Sequence, residues 1–222
     1  MTSETTSADA ARRRGRIIAV VVAGVVLLLA AAVCIGLFLP TLRSPDDDSV
    51  EAGFARDMST HHGQAVEMSM LAVQRADSAA IRTVALDMGL TQQAQIGMMR
   101  AWLRQWNLSP TGTGTRMAWM RDDADMQHAD MSSPAPARGA RMPGMATAEE
   151  IRRLRTLRGP AFDTLFADLM IRHHTGGIQM VDAVLRLDPD AQVRELAESM
   201  KLGQQSEINA LNDIKARLNA NP

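Results

Sequence analysis

The chain has 222 residues, of which 46% are apolar, enough for one compact domain with appendages or for two small domains. Its 24 basic and 25 acidic residues give a net charge of −1, which provides no positive field for a polyanion and argues against nucleic acid as a partner. The single cysteine, Cys34, excludes an internal disulfide and a thiolate metal site, while 16 methionines and few aromatic residues favour a helical, methionine-rich core.

The N-terminal segment predicts a membrane anchor. Residues 1–16 form a polar tail that ends in arginines, and we expect this basic tail to be cytoplasmic. Residues 17–39 (IIAVVVAGVVLLLAAAVCIGLFL) carry no charge, and as a helix they would span roughly 35 Å, more than a hydrocarbon core of about 30 Å. We therefore predict a transmembrane helix at 17–39, followed by a short tether at 40–49.

Length and flanking charge favour a retained anchor over a cleaved or lipidated signal. The apolar core of a signal peptide is shorter, about 7–15 residues, and no small-x-small cleavage site precedes Pro40. A lipoprotein signal would need a small residue before Cys34, where the sequence has Val33. Arginines precede the apolar run and aspartates follow it, so the positive-inside rule predicts a single-pass protein of the cell membrane with an extracytoplasmic C-terminal domain.

Helical periodicity and capping residues predict a first helical hairpin. Its two helices are expected at about 50–74 and 78–106, with Asp77 or Ser78 as the N-cap of the second. The segment Asn107-Leu-Ser-Pro then ends this hairpin.

A long crossover loop is predicted at 107–146, because Gly, Pro and Ser interrupt the helical pattern except for one short piece around 115–131. Its methionines are spaced by polar and helix-breaking residues, so they either pack over the bundle or form an auxiliary segment that collects soft metal ions. The candidate side chains of this loop are Met117, Met120, Met126, His128, Met131, Met142 and Met145.

A second helical hairpin is predicted after the loop. Thr147 and Glu150 have the spacing of a capping box and open a short helix. The next helix is expected at about 160–187. Asp188 and Pro189 then supply an N-cap and a proline at the first helical position of the last helix.

Two stretches of the chain are copies of each other. FARDMSTHHGQAVEM (54–68) and FADLMIRHHTGGIQM (166–180) lie 112 positions apart and use four of the five histidines, and the same offset aligns further matches along the following helices. A repeated hairpin with one apolar face most simply pairs with its copy. We therefore predict an all-α fold, an antiparallel four-helix bundle over 50–218, built from repeat 1 at about 50–106 and repeat 2 at about 160–218.

The copies place methionine and histidine on one stripe of each first helix. Met58, His61 and Met68 recur at helical steps, with His62 beside them, and facing stripes would bury at least one histidine of each adjacent pair. Small residues should let the helices approach closely at Gly63, Ala65, Gly176 and Gly177. The candidate metal ligands are Met58, His61, His62, Met68, Met170, His173, His174 and Met180.

Two structural alternatives stand beside a metal site: core packing of the methionines and a hydrogen-bonded polar core of histidines. If a metal binds, the donor types indicate which one. No glutamate stands three residues before a histidine, which disfavours di-iron. Zinc prefers an added carboxylate or thiolate, but Asp57 is matched by Leu169 in the second copy. Imidazoles with thioethers suit Cu(I), in a compartment where cysteines would oxidise.

The two HH-x5-M elements, together with MPGMATAEEIRRLRTLRGPAFDTLFADLMIRHHTGGIQMVDAVL, resemble the bacterial family called domain of unknown function 305 over about residues 50–218. The resemblance implies a ferritin-like four-helix fold, and some members of this family are exported or anchored copper-binding proteins associated with copper resistance. The positions that match by motif are His61, His62, Met68, His173, His174 and Met180, with Met58 and Met170 as companions.

The sequence thus predicts a membrane-anchored extracytoplasmic copper-binding protein that sequesters or transfers Cu(I), with a second copy or a copper-transfer protein as further candidate partners. The alternatives are a metal-dependent enzyme of ferritin-like fold and a metal-free helical interaction module. An enzyme would need an acid or base near the site. The candidates Asp57, Glu67 and Asp168 do not recur in both copies, so we expect no enzymatic activity.

Overall fold

The structure, a computed structural model, describes residues 3–38, 44–112, 114–122 and 142–220. Within these ranges the chain is all-helical and has no strand, which confirms the predicted fold class. The α-helices are α1 Ser3–Phe38, α2 Val50–Arg75, α3 Ala79–Gln105, α4 Ala148–Thr156, α5 Gly159–Arg186 and α6 Ala191–Ala220. A 3₁₀ helix, Ala118–Asp122, lies within the helical piece predicted at 115–131, of which residues 115–117 are not helical and residues 123–131 fall outside the described ranges.

The N-terminal helix α1 belongs to a compact unit of its own, Met1–Ser44. Within it, Arg12–Ile35 is long and apolar enough to cross a membrane, and its side chains are exposed. An apolar helix near the N-terminus serves either as a signal sequence or as an anchor. The start of the predicted tether, residues 40–43, lies outside the described residues.

The four long helices of the second unit, Pro45–Pro222, form an antiparallel bundle. α2 and α3 make one hairpin, α5 and α6 make the other, α2 packs on α5, and α3 packs on α6. Ser49 and Ser78 cap α2 and α3, since each hydroxyl accepts the backbone N–H three residues on. The predicted capping box of Thr147 and Glu150 is present at the start of α4.

The last helix starts two residues later than predicted. Asp188 has a left-handed backbone (φ 54°) and lies in the turn after α5, so it does not cap α6. The carboxylate of Asp190 accepts a hydrogen bond from Val193 N at 3.0 Å, which makes Asp190 the N-cap and leaves Pro189 in the turn. The prediction that Asp188 caps this helix is therefore wrong, because the turn geometry selects the second of the two aspartates.

Two carboxylates tie each hairpin to the turn of the other. Asp163 on α5 accepts hydrogen bonds from Asp77 N (3.1 Å) and Ser78 N (2.8 Å) in the first turn. Glu51 on α2 accepts one from Asp190 N (3.3 Å) in the second turn. Glu51 and Asp163 occupy the same place in the two repeats. The duplication therefore preserves this tie, which fixes how α2 lies against α5.

The apolar core has two parts, one toward each end of the bundle. One cluster contains Met58 and Met180, and the other contains Met68 and Met170. Residues from the start of α2 thus pack with residues from the end of α5, so these two helices are antiparallel. The paired histidines lie between the two clusters, near the middle of both helices.

We predict that Asp163→Ala lowers the free energy of unfolding by about 1–3 kcal/mol, because two backbone N–H groups of the turn lose their acceptor. Glu51→Ala, which removes a single, longer hydrogen bond, should cost less. All 3 tryptophans lie in the bundle, so tryptophan fluorescence during urea unfolding of the full chain in mild detergent measures both variants. Equal, negligible losses would contradict the proposed tie.

Candidate metal centre

Four histidines form a buried layer across α2 and α5. His61, His62, His173 and His174 are each at most 1% exposed. His61 and His173, termed the inner pair, face each other with ring centroids 3.8 Å apart and planes tilted by 34°. His62 and His174, the outer pair, have their centroids 6.3 Å and 6.2 Å from their neighbours, because consecutive helical residues point about 100° apart.

The inner pair is held by backbone carbonyls. His61 Nε2 donates to Pro143 O at 3.0 Å, and His173 Nε2 donates to His61 O at 3.1 Å. A carbonyl oxygen can only accept, so both rings carry their proton on Nε2. These bonds fix the tautomer that leaves the lone pair on Nδ1.

The outer pair reaches sideways to the second helix of each hairpin. His62 Nε2 donates to Gln95 Oε1 on α3 at 2.7 Å, and His174 Nε2 donates to Glu207 Oε2 on α6 at 2.5 Å. Gln95 and Glu207 are 112 residues apart, like the histidines that they bind. One hairpin therefore uses a neutral amide where the other uses a carboxylate.

The Nδ1 atoms of the four histidines are buried and have no hydrogen-bond partner among the described residues. Since each ring is protonated on Nε2, each Nδ1 presents a lone pair. Metal-binding histidines have this arrangement: the second nitrogen donates to an oxygen, which fixes both the tautomer and the orientation of the ring.

Burial also favours the neutral form of His61, His62 and His173. Desolvation lowers the pKa of His61 to about 4. Desolvation and the neighbouring His61 lower the pKa of His62 to about 3. The pKa of His173 also lies well below its usual value, first because of burial and then because of the nearby histidines. At neutral pH the Nδ1 lone pairs of these three histidines are therefore free of competition from protons.

Four buried methionines flank the histidine layer. Met58, Met68, Met170 and Met180 are all 0% exposed, and each lies within two helical turns of a histidine on its own helix. Met58 and Met180 belong to the core cluster on one side of the layer, and Met68 and Met170 to the cluster on the other side. The eight candidate residues are therefore all buried, in the histidine layer and in the two clusters that flank it.

The four histidines do not converge on a single point. Among the described residues, no three His, Cys, Asp or Glu side chains form a ready-made metal site. The inner pair has closely spaced rings, whereas the helical spacing of adjacent residues sends the outer pair towards α3 and α6. The outer pair therefore lies to the sides of the contact between His61 and His173.

A short strap, residues 142–146, crosses α5 beside the inner pair. Gly144 has a left-handed backbone (φ 73°), and a Cβ there would meet the backbone of α5. A Cβ on Gly176 would overlap the backbone of Pro143. These two glycines let the strap lie directly on the helix, where the carbonyl of Pro143 reaches His61.

Of the four small residues predicted to let the helices approach closely, Ala65 is buried in the core cluster of Met68. Gly176 is crowded by the backbone of the strap, whereas a Cβ on Gly177 would meet the side chain of Gln204 on α6, which would have to shift. Gly63 is exposed and has open space around it. The prediction is therefore wrong for Gly63, which lies on the outer face of α2.

Sequence reasoning missed three groups that hold the histidines, namely Gln95, Glu207 and the carbonyl of Pro143. A signal for the first two was present, since each lies 33 residues after the histidine that it binds. The repeat is recognised from identical residues, whereas Gln95 and Glu207 are different residues of similar shape. The Pro143 carbonyl is a backbone group of the loop, and a sequence pattern carries no signal for such a contact.

The carboxylates that were candidate acids or bases all have structural partners. Asp57 accepts hydrogen bonds from Met117 N (2.7 Å) and Trp119 Nε1 (3.0 Å), and burial raises its pKa. The other two form ion pairs, which are Glu67 with Arg155 and Asp168 with Lys215. All three carboxylates therefore contribute to the fold.

The linker methionines that the structure describes pack on the bundle. Those that contact the core cluster of Met58 are Met117, Met120, Met142 and Met145, of which Met120 and Met142 are buried. The other candidates, Met126, His128 and Met131, lie outside the described residues. For the described part of the loop, the structure favours packing.

Comparison with protein families supports the resemblance seen in the sequence. The model of the family described as Domain of unknown function (DUF305) matches residues 51–215. No curated protein sequence matches the chain.

Solved structures of the same family resemble the bundle. A DUF305 protein of Streptomyces coelicolor, predicted to be secreted, is 37% identical over 78% of this chain and 96% of its own, with a TM-score of 0.68. A DUF305 fragment from Deinococcus radiodurans is 29% identical over 78% of this chain and 99% of its own, with a TM-score of 0.61.

CopM in its Cu(I)-bound form has a similar fold. It is 21% identical over 76% of this chain and 96% of its own, with a TM-score of 0.55. Cu(II)-bound and silver-bound forms of CopM match at 20% identity. At these identities the likeness shows the fold alone.

We predict that the metal-free bundle loses stability as the pH falls from 6.5 towards about 4. His61, His62 and His173 have folded-state pKa values below the usual 6.5, so the unfolded chain binds more protons in this range. The contribution of these neutral histidines to the free energy of unfolding is fully present above pH 6.5. It declines below that pH by up to about 1.4 kcal/mol per pH unit for each histidine. Urea unfolding at a series of pH values measures the slope.

The variant His62→Gln serves as the control for this pH dependence. It removes one titrating group, so the difference in bound protons between the unfolded and the folded chain should fall by about one. The slope of the free energy of unfolding against pH should become shallower accordingly. A slope that is the same in the variant and in the unmodified chain would refute the assignment to buried histidines.

Proposed function

The chain belongs to the domain of unknown function 305 family, and we propose that it is an extracytoplasmic copper-binding protein that sequesters or transfers Cu(I). The observation that carries the proposal is the set of four buried Nδ1 lone pairs, each on a ring fixed through its Nε2. The ligands that we propose are Met58, His61, His62, Met68, Met170, His173, His174 and Met180.

A bound cation accounts for the Nδ1 atoms better than a polar core does. Hydrogen bonds through Nε2 satisfy one half of each imidazole and leave four buried acceptors unmatched, each at a cost of about 1–3 kcal/mol. A cation that binds such lone pairs turns them into ligands. Because the folded chain alone would offer them together, metal binding would also stabilise the bundle.

The donor set favours a soft ion. Imidazole nitrogens and thioether sulfurs are neutral ligands that suit Cu(I), whereas zinc prefers thiolate or carboxylate ligands in a closed tetrahedral site. The inner pair offers two nitrogens at the helix interface, with thioethers in the core clusters on either side. Cu(I) accepts low coordination numbers, so it does not need three converging histidines.

The similar fold of CopM supports the proposal from a second direction. CopM has been solved with Cu(I), with Cu(II) and with silver, and silver is a soft monovalent ion like Cu(I). The antiparallel bundle is therefore a fold that accommodates such ions in a protein of similar architecture. The transfer of this property to the present chain rests on its own histidines and methionines.

We propose that α1 anchors the protein with the bundle outside the cytoplasm. Arginines precede the apolar run and aspartates follow it, and the Streptomyces coelicolor relative is predicted to be secreted. Methionine and histidine ligands suit this compartment, because cysteine thiolates would oxidise there.

We propose binding without catalysis. The carboxylates Asp57, Glu67 and Asp168 are hydrogen-bonded or ion-paired, and the histidine layer is buried from solvent. A reaction would need an acid or base beside an accessible substrate position, whereas storage or transfer of an ion needs the ligands alone.

We predict that the full chain in mild detergent binds Cu(I), and that either double variant, His61→Ala/His62→Ala or His173→Ala/His174→Ala, loses tight binding. The loss of Cu(I) affinity should exceed the roughly 10- to 100-fold that follows removal of a hydrogen-bond partner of a ligand. A larger loss is expected because a shared centre needs nitrogens from both copies. Competition with a Cu(I) chelator measures affinity and stoichiometry.

Two other results would contradict a shared centre. Halved stoichiometry with unchanged affinity would indicate two independent sites. Unchanged Cu(I) binding with a lower melting temperature would mean that the histidines form a polar core.

We predict that Met68→Leu and Met180→Leu weaken Cu(I) binding more than Zn(II) binding, because leucine keeps the volume and removes the soft donor. Met88→Leu and Met200→Leu are matched controls, since these methionines are buried at equivalent places in the same two clusters. The controls should leave both affinities unchanged. Equal losses for the two metals would show that Met68 and Met180 only pack.

A further inference from the structure

We infer that Gln95 and Glu207 together give the protein groups of the centre a single negative charge. This charge makes the centre prefer a monovalent ion over a divalent one. The inference rests on the proposed function and adds to it the feature that discriminates between ions. Neither residue is proposed as a ligand. Both act through the outer histidines, as positioning residues that also fix the charge.

Glu207 contacts the layer through a short hydrogen bond to a buried ring. Its Oε2 accepts from His174 Nε2 at 2.5 Å, where the His174 side chain is 0% exposed and the Glu207 side chain 16% exposed. A carboxylate in this position makes Nδ1 of the imidazole a stronger electron-pair donor to a metal ion. Its negative charge also offsets part of the charge of a bound cation.

Gln95 occupies the equivalent place in the other hairpin. It holds His62 through an amide oxygen at 2.7 Å, in the same way that the carboxylate holds His174. Glutamine and glutamate have nearly the same shape, so the two halves of the centre differ here mainly in charge. The two copies therefore hold their outer histidines with similar geometry but with different charge.

The proposed ligands do not change the charge of an ion, because imidazoles protonated on Nε2 and thioethers are neutral. With one carboxylate in contact with the layer, a monovalent ion gives a buried centre without net charge. A divalent ion leaves one positive charge uncompensated, and burying such a charge is costly. A second carboxylate at position 95 would remove this penalty for divalent ions.

Other carboxylates around the layer are matched by donors or by cations. Asp57 accepts hydrogen bonds from Met117 N and Trp119 Nε1 and lies near Arg56 and Arg116. The ion pairs of α2 and α5 include Glu67 with Arg155, Glu150 with Arg172, Asp168 with Lys215 and Asp182 with Lys201. Glu207, in contrast, pairs with a histidine of the centre.

Three variants test the inference in the full chain in mild detergent. Gln95→Glu adds a second carboxylate, Glu207→Gln removes the existing one, and Gln95→Glu/Glu207→Gln moves the carboxylate to the other half. Each variant is titrated with Cu(I) and, separately, with Zn(II) against a competing chelator. Helical circular dichroism and tryptophan fluorescence establish that each variant is folded.

We expect Gln95→Glu to raise Zn(II) affinity more than Cu(I) affinity and to reduce the preference for Cu(I) about 10- to 100-fold. Glu207→Gln should weaken both ions, Zn(II) more strongly because its charge is larger. The double exchange, which keeps the total charge, should restore the preference of the unmodified chain.

A preference for Cu(I) over Zn(II) that is unchanged in Gln95→Glu would overturn the inference. Equal changes for both ions would also overturn it, because they would show that these residues only orient the rings. If the unmodified chain binds Cu(I) and the exchanges have no effect, the proposed function stands and this inference alone fails. If the unmodified chain does not bind Cu(I), the proposed function itself fails.

Discussion

Four imidazoles are buried between α2 and α5, and each needs a hydrogen-bond acceptor for its Nε2. The acceptors lie on different elements, and each attaches its element to the layer. His61 O ties α5 to α2, Pro143 O holds the strap, and Gln95 and Glu207 hold α3 and α6. All four helices of the bundle and the end of the crossover loop are therefore positioned by the same set of rings.

The duplication makes the bundle nearly twofold symmetric, and the crossover loop breaks this symmetry. Equivalent residues make equivalent contacts at the bundle ends, as with Glu51 and Asp163. The loop has no copy, and those of its methionines that the structure describes pack on one of the two core clusters. The inner pair is consequently held in two ways: His173 by a helix carbonyl and His61 by Pro143 of the strap.

Local sequence signals were sufficient for the helices, because a cap such as Ser78 or the pair Thr147 and Glu150 acts within a few residues. They failed at the start of α6, where a contact between hairpins, from Asp190 N to Glu51, favours the second of two aspartates. The repeat likewise identified the histidines as a group. It gave no information on which ring would face the interface, so the tautomers and their acceptors required the three-dimensional structure.

The features on which the proposed metal centre rests are costly in the metal-free chain. Unmatched Nδ1 lone pairs and histidines with depressed pKa values both reduce the stability of the folded state. The cost falls in the middle of α2 and α5, whereas the stabilising contacts lie on either side of it, in the two apolar clusters and in the carboxylate ties of Asp163 and Glu51. Because the destabilising and the stabilising contacts lie at different places along the helices, the bundle can tolerate an unfavourable centre when no metal is bound. An ion that binds the layer would then add its binding free energy to a fold that is already formed.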